Sequence, residues 1–201
     1  MEPLFCAPFL DYMSKDVELD EETIQLVAAN CRLVKLAKGK RLLEAGNISH
    51  FVYFMVSGEC ISYFTDHNGK TTTWFFHFNI PESTVKNLFA VDYKSFLSLQ
   101  PATLSLETLS PVTAIRFSAE EVRNLIERSR TFERWMRLLN ERAFIQTYDR
   151  ISTLLTLSAP ERYKKFLTDE PWLLNMFTNY QIASYLDVAP QSLSRIRKNI
   201  Y

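Results

Sequence analysis

The chain has 201 residues, 47% of them hydrophobic, enough for one large or two small domains with a substantial core. No apolar run approaches the ~20 residues of a helical membrane span, and the N-terminus lacks a secretory signal's basic flank and long apolar stretch. The expected location is therefore cytoplasmic, with no membrane partner. Zero net charge hides a division: residues 1–127 carry 11 Lys and Arg against 16 Asp and Glu, whereas residues 128–201 carry 12 against 7. An acidic front and a basic back suit a sensor joined to a module for a polyanion.

Apolar spacing predicts a short helix over residues 9–13, and Asp20 caps a second over 21–31. The texture then changes. All four glycines, Gly39, Gly46, Gly58 and Gly69, fall within residues 39–69, among β-rich segments at 33–36, 41–44, 51–57, 60–65 and 71–78. Cys60, Ser62 and Phe64 alternate with Ile61, Tyr63 and Thr65, the period of two expected for a strand. Asp66-His67-Asn68-Gly69 supplies hairpin chemistry, because Asn and Gly tolerate positive φ. Two more strands, at 103–109 and 113–117, complete the pattern of a small antiparallel barrel or sandwich. The intervening segment 86–98, rich in Phe, Leu and Tyr, reads as a helix that closes or fills the barrel.

Ser118 and Glu121 form a capping-box pair at the start of a helix. A long helix follows over about residues 131–157, some 40 Å of helix, more than so small a domain can cover. Its apolar stripe starts at Phe132, Met136, Leu139 and Ala143 and continues through Tyr148, Ile151 and Leu155. Apolar residues on more than one side predict contact both with its own barrel and with a second copy.

Residues 178–200 are the most informative. Thr178 or Asn179 can cap a helix that turns Ile182, Ala183 and Leu186 to one side. Pro190 suits the first turn of a second helix, in which Leu193 and Ile196 point inward. Gln191, Ser192, Ser194, Arg195 and Lys198 point outward, the layout of a helix-turn-helix whose second helix enters the major groove.

Chemistry-bearing motifs are otherwise sparse. Cys6, Cys31 and Cys60 form no Cys-x-x-Cys pair, so they read as buried small hydrophobes in a reducing compartment. His50 and His67 fall at turns, and His77 lies in the aromatic run 74–78 without a second convincing ligand, so neither a metal nor haem is expected. A cupin-like oxygenase would need a His/Glu metal set that three scattered histidines do not provide. No nucleophile elbow, zinc motif or phosphate loop occurs; no catalytic residue, and no enzyme activity, is expected.

Gln-Ile-Ala-Ser-Tyr-Leu at 181–186, followed by Pro-Gln-Ser-Leu-Ser-Arg-Ile-Arg-Lys at 190–198, closely resembles the helix-turn-helix of the CRP/FNR superfamily, especially its short Bacteroidetes-type members. The turns at Lys38-Gly39-Lys40, Gly46, Ser57-Gly58 and Asn68-Gly69-Lys70 resemble those of its cyclic-nucleotide-binding β-roll. The resemblance spans residues 10–200. It implies an α+β fold: a jelly-roll-like antiparallel β-roll (a double-stranded β-helix) over 1–128, a long dimerisation helix over 129–158, and a helix-turn-helix domain over 159–201. It implies a homodimeric regulator that binds double-stranded DNA and meets RNA polymerase. Phe132, Met136, Leu139 and Ala143 are then the candidate dimerisation residues.

On that pattern Gln191, Ser192 and Arg195 are candidates for base edges, since arginine contacts guanine and glutamine adenine through paired bonds. Arg197, Lys198, Ser194, Thr178 and Asn179 are candidates for phosphates, with an intradomain salt bridge as the competing role for Arg197. Asp187 replaces the usual turn glycine, Ala189 the usual cap, and the family's β-wing would lie beyond Tyr201. Members that bind cAMP carry a Gly-Glu-Leu-like turn and an Arg-Ser/Thr-Ala triplet, where this chain has 78–85 without glycine and Gln100-Pro101-Ala102. Loss of cAMP binding is expected, with no cofactor. Glu82, Gln100 and Thr103 are the polar residues nearest the matching positions for an unknown small-molecule effector. The alternative is an effector-binding or protein-interaction β-roll with a weakened DNA motif.

Overall fold

The computed structural model describes residues 5–200, the last of them by its backbone only. Helices α1 (Ala7–Met13) and α2 (Glu21–Ala29) precede the strands. Asp20 caps α2 by accepting from the Thr23 N–H at 2.7 Å, which satisfies a donor that the first helical turn leaves free. Strands β1 (Arg32–Leu36), β2 (Arg41–Leu43), β3 (Phe51–Ser57), β4 (Cys60–Thr65) and β5 (Thr71–His77) fall within a residue or so of the β-rich segments read from the sequence.

Segment 86–98 departs from the expected single helix. It divides into α3 (Val85–Leu88), β6 (Phe89–Ala90) and α4 (Tyr93–Ser98). Phe89 and Ala90 pair with Phe54 and Tyr53 of β3, and the Asp92 carboxylate then starts α4 by accepting from the Ser95 N–H at 2.9 Å. Strands β7 (Leu104–Thr108) and β8 (Val112–Ser118) close the barrel. One sheet has the order β1-β8-β3-β6 and the other β2-β7-β4-β5, every pairing antiparallel. Gly58 makes the tight β3–β4 turn feasible. Its φ is +84°, and a Cβ there would lie 2.2 Å from the Pro111 carbonyl oxygen.

Between the sheets lie Met55, Cys60, Leu104, Leu106 and Ala114, all buried. On the outer face of the β8–β3 sheet a second cluster gathers Phe9, Met13, Phe54, Ile115 and Phe117 beneath the helices. Two of these helices are α5 (Ala119–Arg128), opened by the Ser118–Glu121 capping box, and α6 (Arg130–Thr156), capped by Ser129.

Four residues assigned above to dimerisation take part in this second cluster instead. Phe132 and Leu139 are 1% and 2% exposed, and Met136 and Ala143 pack against the same cluster. Phe132 and Trp135 meet at 5.5 Å between ring centroids, and Trp135 meets Phe9 at 5.2 Å. The N-terminal half of α6 therefore buries that stripe in its own barrel. The free apolar face begins later, at Phe144, Tyr148, Ile151 and Leu155, which are 70%, 64%, 43% and 79% exposed and spaced by four, three and four residues.

The chain ends in four helices, α7 (Ala159–Asp169), α8 (Leu173–Met176), α9 (Asn179–Tyr185) and α10 (Pro190–Ile200). Their core, Tyr163, Phe166, Phe177, Ile182, Ala183 and Leu193, is continuous with Ile61, Phe75, Phe76 and Phe78 of the barrel.

Candidate nucleic-acid interface

Thr178 opens α9 with a reciprocal capping box: its Oγ1 accepts from the Gln181 N–H at 3.3 Å, and Gln181 Oε1 accepts from the Thr178 N–H at 2.9 Å. Ile182 and Ala183 are fully buried against α10 and the barrel. After α9, Asp187 takes φ 51°, the left-handed region that short polar side chains enter at modest cost. The Val188 N–H donates to the Ala183 carbonyl and the Leu193 N–H to the Ala189 carbonyl, so α10 begins without a side-chain cap, since alanine offers no acceptor.

On α10, Leu193 is buried and Ile196 packs against the head's core, while Gln191, Ser194, Arg195 and Lys198 are exposed and Ser192 is half-buried. Ser194 Oγ donates back to the Pro190 carbonyl at 3.3 Å. Arg195 and Lys198 make no hydrogen bond or ion pair among the described residues, and both remain free for an external anion.

Arg197 departs from its expected phosphate role, and from the intradomain salt bridge as well. It folds back over the head: Nη1 donates to Asn179 Oδ1 at 2.7 Å, and the guanidinium lies 5.7 Å from the Tyr163 ring centroid. The same bond engages Asn179, another residue assigned to phosphates. The helical turn of 100° per residue explains both outcomes, because position 197 follows Leu193 by four and lies on the inward side.

The head is docked on the free edge of β5. Ser184 Oγ accepts from the Thr73 N–H at 2.9 Å and donates to the Thr71 carbonyl at 3.0 Å, as a neighbouring strand would. Arg150, 6% exposed on α6, donates through Nη2 to the carbonyls of Thr73 and Tyr185 and stacks 3.9 Å from the Tyr185 ring centroid. Phe76 and Phe177 stack at 3.9 Å, Lys86 pairs with Glu170 at 2.7 Å, and Lys70 pairs with Asp187 at the rim. Glu170 also accepts from the Tyr185 hydroxyl at 2.7 Å. Burial pushes the Tyr185 phenol far above its ordinary range and the Arg150 guanidinium below its own. Ser184 falls within the 181–186 motif but has no role assigned by it, and Arg150 is marked by no motif in the sequence.

A cavity of about 300 Å³ opens between the barrel and α6, lined by Trp74, His77, Asp92, Tyr93, Thr103 and Gln146, among others. Of the three effector candidates only Thr103 lines it, with its N–H on Asp92 Oδ2 at 3.2 Å. Glu82 and Gln100 are exposed and stand outside that lining, because the β6 pairing draws the intervening chain against β3. His77 was missed as a lining residue. Burial pushes its imidazole down to about 4, so it is neutral at pH 7; Nε2 bonds Ser62 Oγ at 3.0 Å and Nδ1 has no partner among the described residues. No cluster of three or more metal-ligating side chains occurs among the described residues.

No family model matches the chain, and no curated protein matches it in sequence. Solved structures do match in fold. FixK2 from Bradyrhizobium japonicum superposes with a TM-score of 0.69 at 15% identity, over 85% of this chain and 84% of that one. A protein assigned to the CRP/FNR family of transcriptional regulators, from Eubacterium rectale, gives 0.66 at 16% identity, over 90% and 83%. The c-di-GMP-responsive global regulator CLP of Xanthomonas campestris gives 0.65 at 15% identity, over 90% and 91%. The barrel, long helix and helical head share one arrangement with these chains. No helix among the described residues is long and apolar enough to cross a membrane.

Proposed function

We propose, from the premise that this chain has the fold of CRP/FNR regulators, that it is a homodimeric transcriptional regulator whose α10 reads duplex DNA. The observation that carries this is the outward face of α10. Gln191 and Arg195 are exposed there and Ser192 is half-buried, which supports them as candidates for base edges, with Lys198 exposed one turn on as a candidate for phosphate; a capped α9 and a left-handed turn at Asp187 hold the helix. The alternative, a β-roll with a weakened DNA motif, is not favoured: the uncapped start at Ala189 leaves α10 intact over 11 residues.

The two-fold partner would meet the chain through Phe144, Tyr148, Ile151 and Leu155, which otherwise expose a contiguous apolar stripe to water. The cavity under α6 is the effector site we assign, and its occupant is not a cyclic nucleotide. Lys86 is held by Glu170, Lys94 lies exposed at the rim, and no arginine lines the cavity to meet a phosphate.

Fluorescence anisotropy with a duplex from upstream of the chain's own gene, against a scrambled duplex, tests the reading. Preference for the upstream duplex is expected, with Arg195→Ala relaxing discrimination at one base position by ~1–3 kcal/mol. Equal affinity for both duplexes would refute it. Calorimetric titration with cAMP should give no binding heat; a micromolar Kd would overturn that part alone.

A further inference from the structure

A second cavity, of about 220 Å³, lies where the barrel, α6 and the head converge. Its walls include Lys86 from α3, Asp149 and Arg150 from α6, and Arg162, Lys165, Asp169 and Glu170 from α7 and its end. Most of these charges are already committed. Lys86 is paired with Glu170 and Lys165 with Asp169. Arg162 donates to the carbonyls of Leu157, Leu186 and Asp187. Asp149 is exposed and hydrogen-bonds to nothing among the described residues.

Arg150 is the one cation of this lining that is buried; Lys86 and Arg162 are half-buried and Lys165 is exposed. Arg150 is 6% exposed, its hydrogen bonds go only to two neutral carbonyls, and Nε is buried without a partner among the described residues. No carboxylate is hydrogen-bonded to it. A guanidinium stays protonated in proteins, and buried charges are ordinarily paired. Four cations against three carboxylates around the cavity leave one positive charge in excess. We propose that this cavity binds a small oxyanion, of the phosphate or carboxylate class, against Arg150. Guanidinium N–H groups match either oxyanion in geometry. Because the walls belong to barrel, long helix and head together, a bound anion favours the docked arrangement over one with the head displaced. The site is independent of α10, and its test contains no DNA.

The experiment is thermal unfolding and calorimetric titration of the full chain with inorganic phosphate, sulfate and acetate, against chloride at equal ionic strength. A saturable rise in Tm with phosphate or acetate is expected, and which of the two binds more tightly identifies the class. Arg150→Gln should lower the affinity at least tenfold. Because that variant also loosens the docking, Thr153→Leu is the second test: it fills the cavity wall, leaves Arg150 in place, and should abolish the saturable response. A double variant, Arg195→Ala with Lys198→Ala, should respond as wild type. No saturable response over chloride in the wild type, a wild-type response in Thr153→Leu, or loss of response in the α10 double variant would each overturn the proposal.

Discussion

Replacing Arg197 with alanine separates two roles that a cation near the end of a recognition helix can play. If Arg197 neutralised a phosphate, its loss would release one fewer counterion on binding, and the slope of log K against log salt would flatten by ~0.9. The structure instead gives its Nη1 to Asn179 at 2.7 Å and lays its guanidinium 5.7 Å from the Tyr163 ring centroid. A hydrogen bond from a charged donor is worth ~1.5–3 kcal/mol and a cation–π contact ~0.5–1. Asn179 is exposed and regains water when the bond is lost, so the expected destabilisation is about 1–2 kcal/mol. For a chain of this length that is a few degrees in Tm. Calorimetric unfolding and salt-dependent anisotropy titrations should be run on Arg197→Ala and Lys198→Ala side by side. Arg197→Ala is expected to melt earlier with an unchanged salt slope, and Lys198→Ala to keep its Tm and flatten the slope by about one. The reverse pattern would refute the inward assignment of Arg197.

Leu155→Asp, or Tyr148→Asp, should convert the dimer we propose to a folded monomer in analytical ultracentrifugation. Phe132→Ala should cost ~3–5 kcal/mol of stability by emptying a packed site, with the association state unchanged. Gly58→Ala combines left-handed backbone with a Cβ 2.2 Å from the Pro111 carbonyl oxygen, so a loss above ~2 kcal/mol is expected by denaturant unfolding. His77 gives a pH dependence with a defined sign. Its pKa is about 4 when folded against about 6.5 for an ordinary histidine, so the unfolded chain binds the proton first. Stability is then full above pH ~6.5 and falls by ~3 kcal/mol as pH drops to about 4. His77→Gln should remove that slope. The depressed carboxyls of Asp20 and Glu161 act below it, as pH falls through their own lower range.

The barrel was legible because its chemistry is local. Alternation along residues 60–65, the Asp66–Gly69 turn and the Ser118–Glu121 box each specify a structure within a few residues, and β4, its hairpin and α5 formed where they indicated. Residues 86–98 were not legible, since Phe89 and Ala90 become a strand only by pairing with β3, far away in sequence. The two faces of α6 were legible as apolar but not as inward or outward: Phe132 and Tyr148 look alike until the barrel covers one of them. Arg197 failed in the same way. Its charge suggested solvent, while its position four residues after Leu193 placed it against Asn179 and Tyr163.

Docking of the head rests on a problem that every open sheet must solve. β5 ends its sheet, and Thr71 and Thr73 would leave an N–H and carbonyls unpaired along that edge. Ser184, with one donor and two acceptor sites, satisfies the Thr73 N–H and the Thr71 carbonyl, and Arg150 covers the Thr73 carbonyl. Ser184 lies on α9, and Arg150 on the helix that carries the exposed apolar stripe. The sheet edge, the two-fold axis we assign and the α9–α10 pair are thus joined through two side chains. The cavity we assign to an effector is lined by Trp74 and His77 of the same strand. An occupant that displaced β5 would strain the Ser184 and Arg150 bonds directly, so the orientation of α10 is coupled to the barrel through its sheet edge as well as through α6.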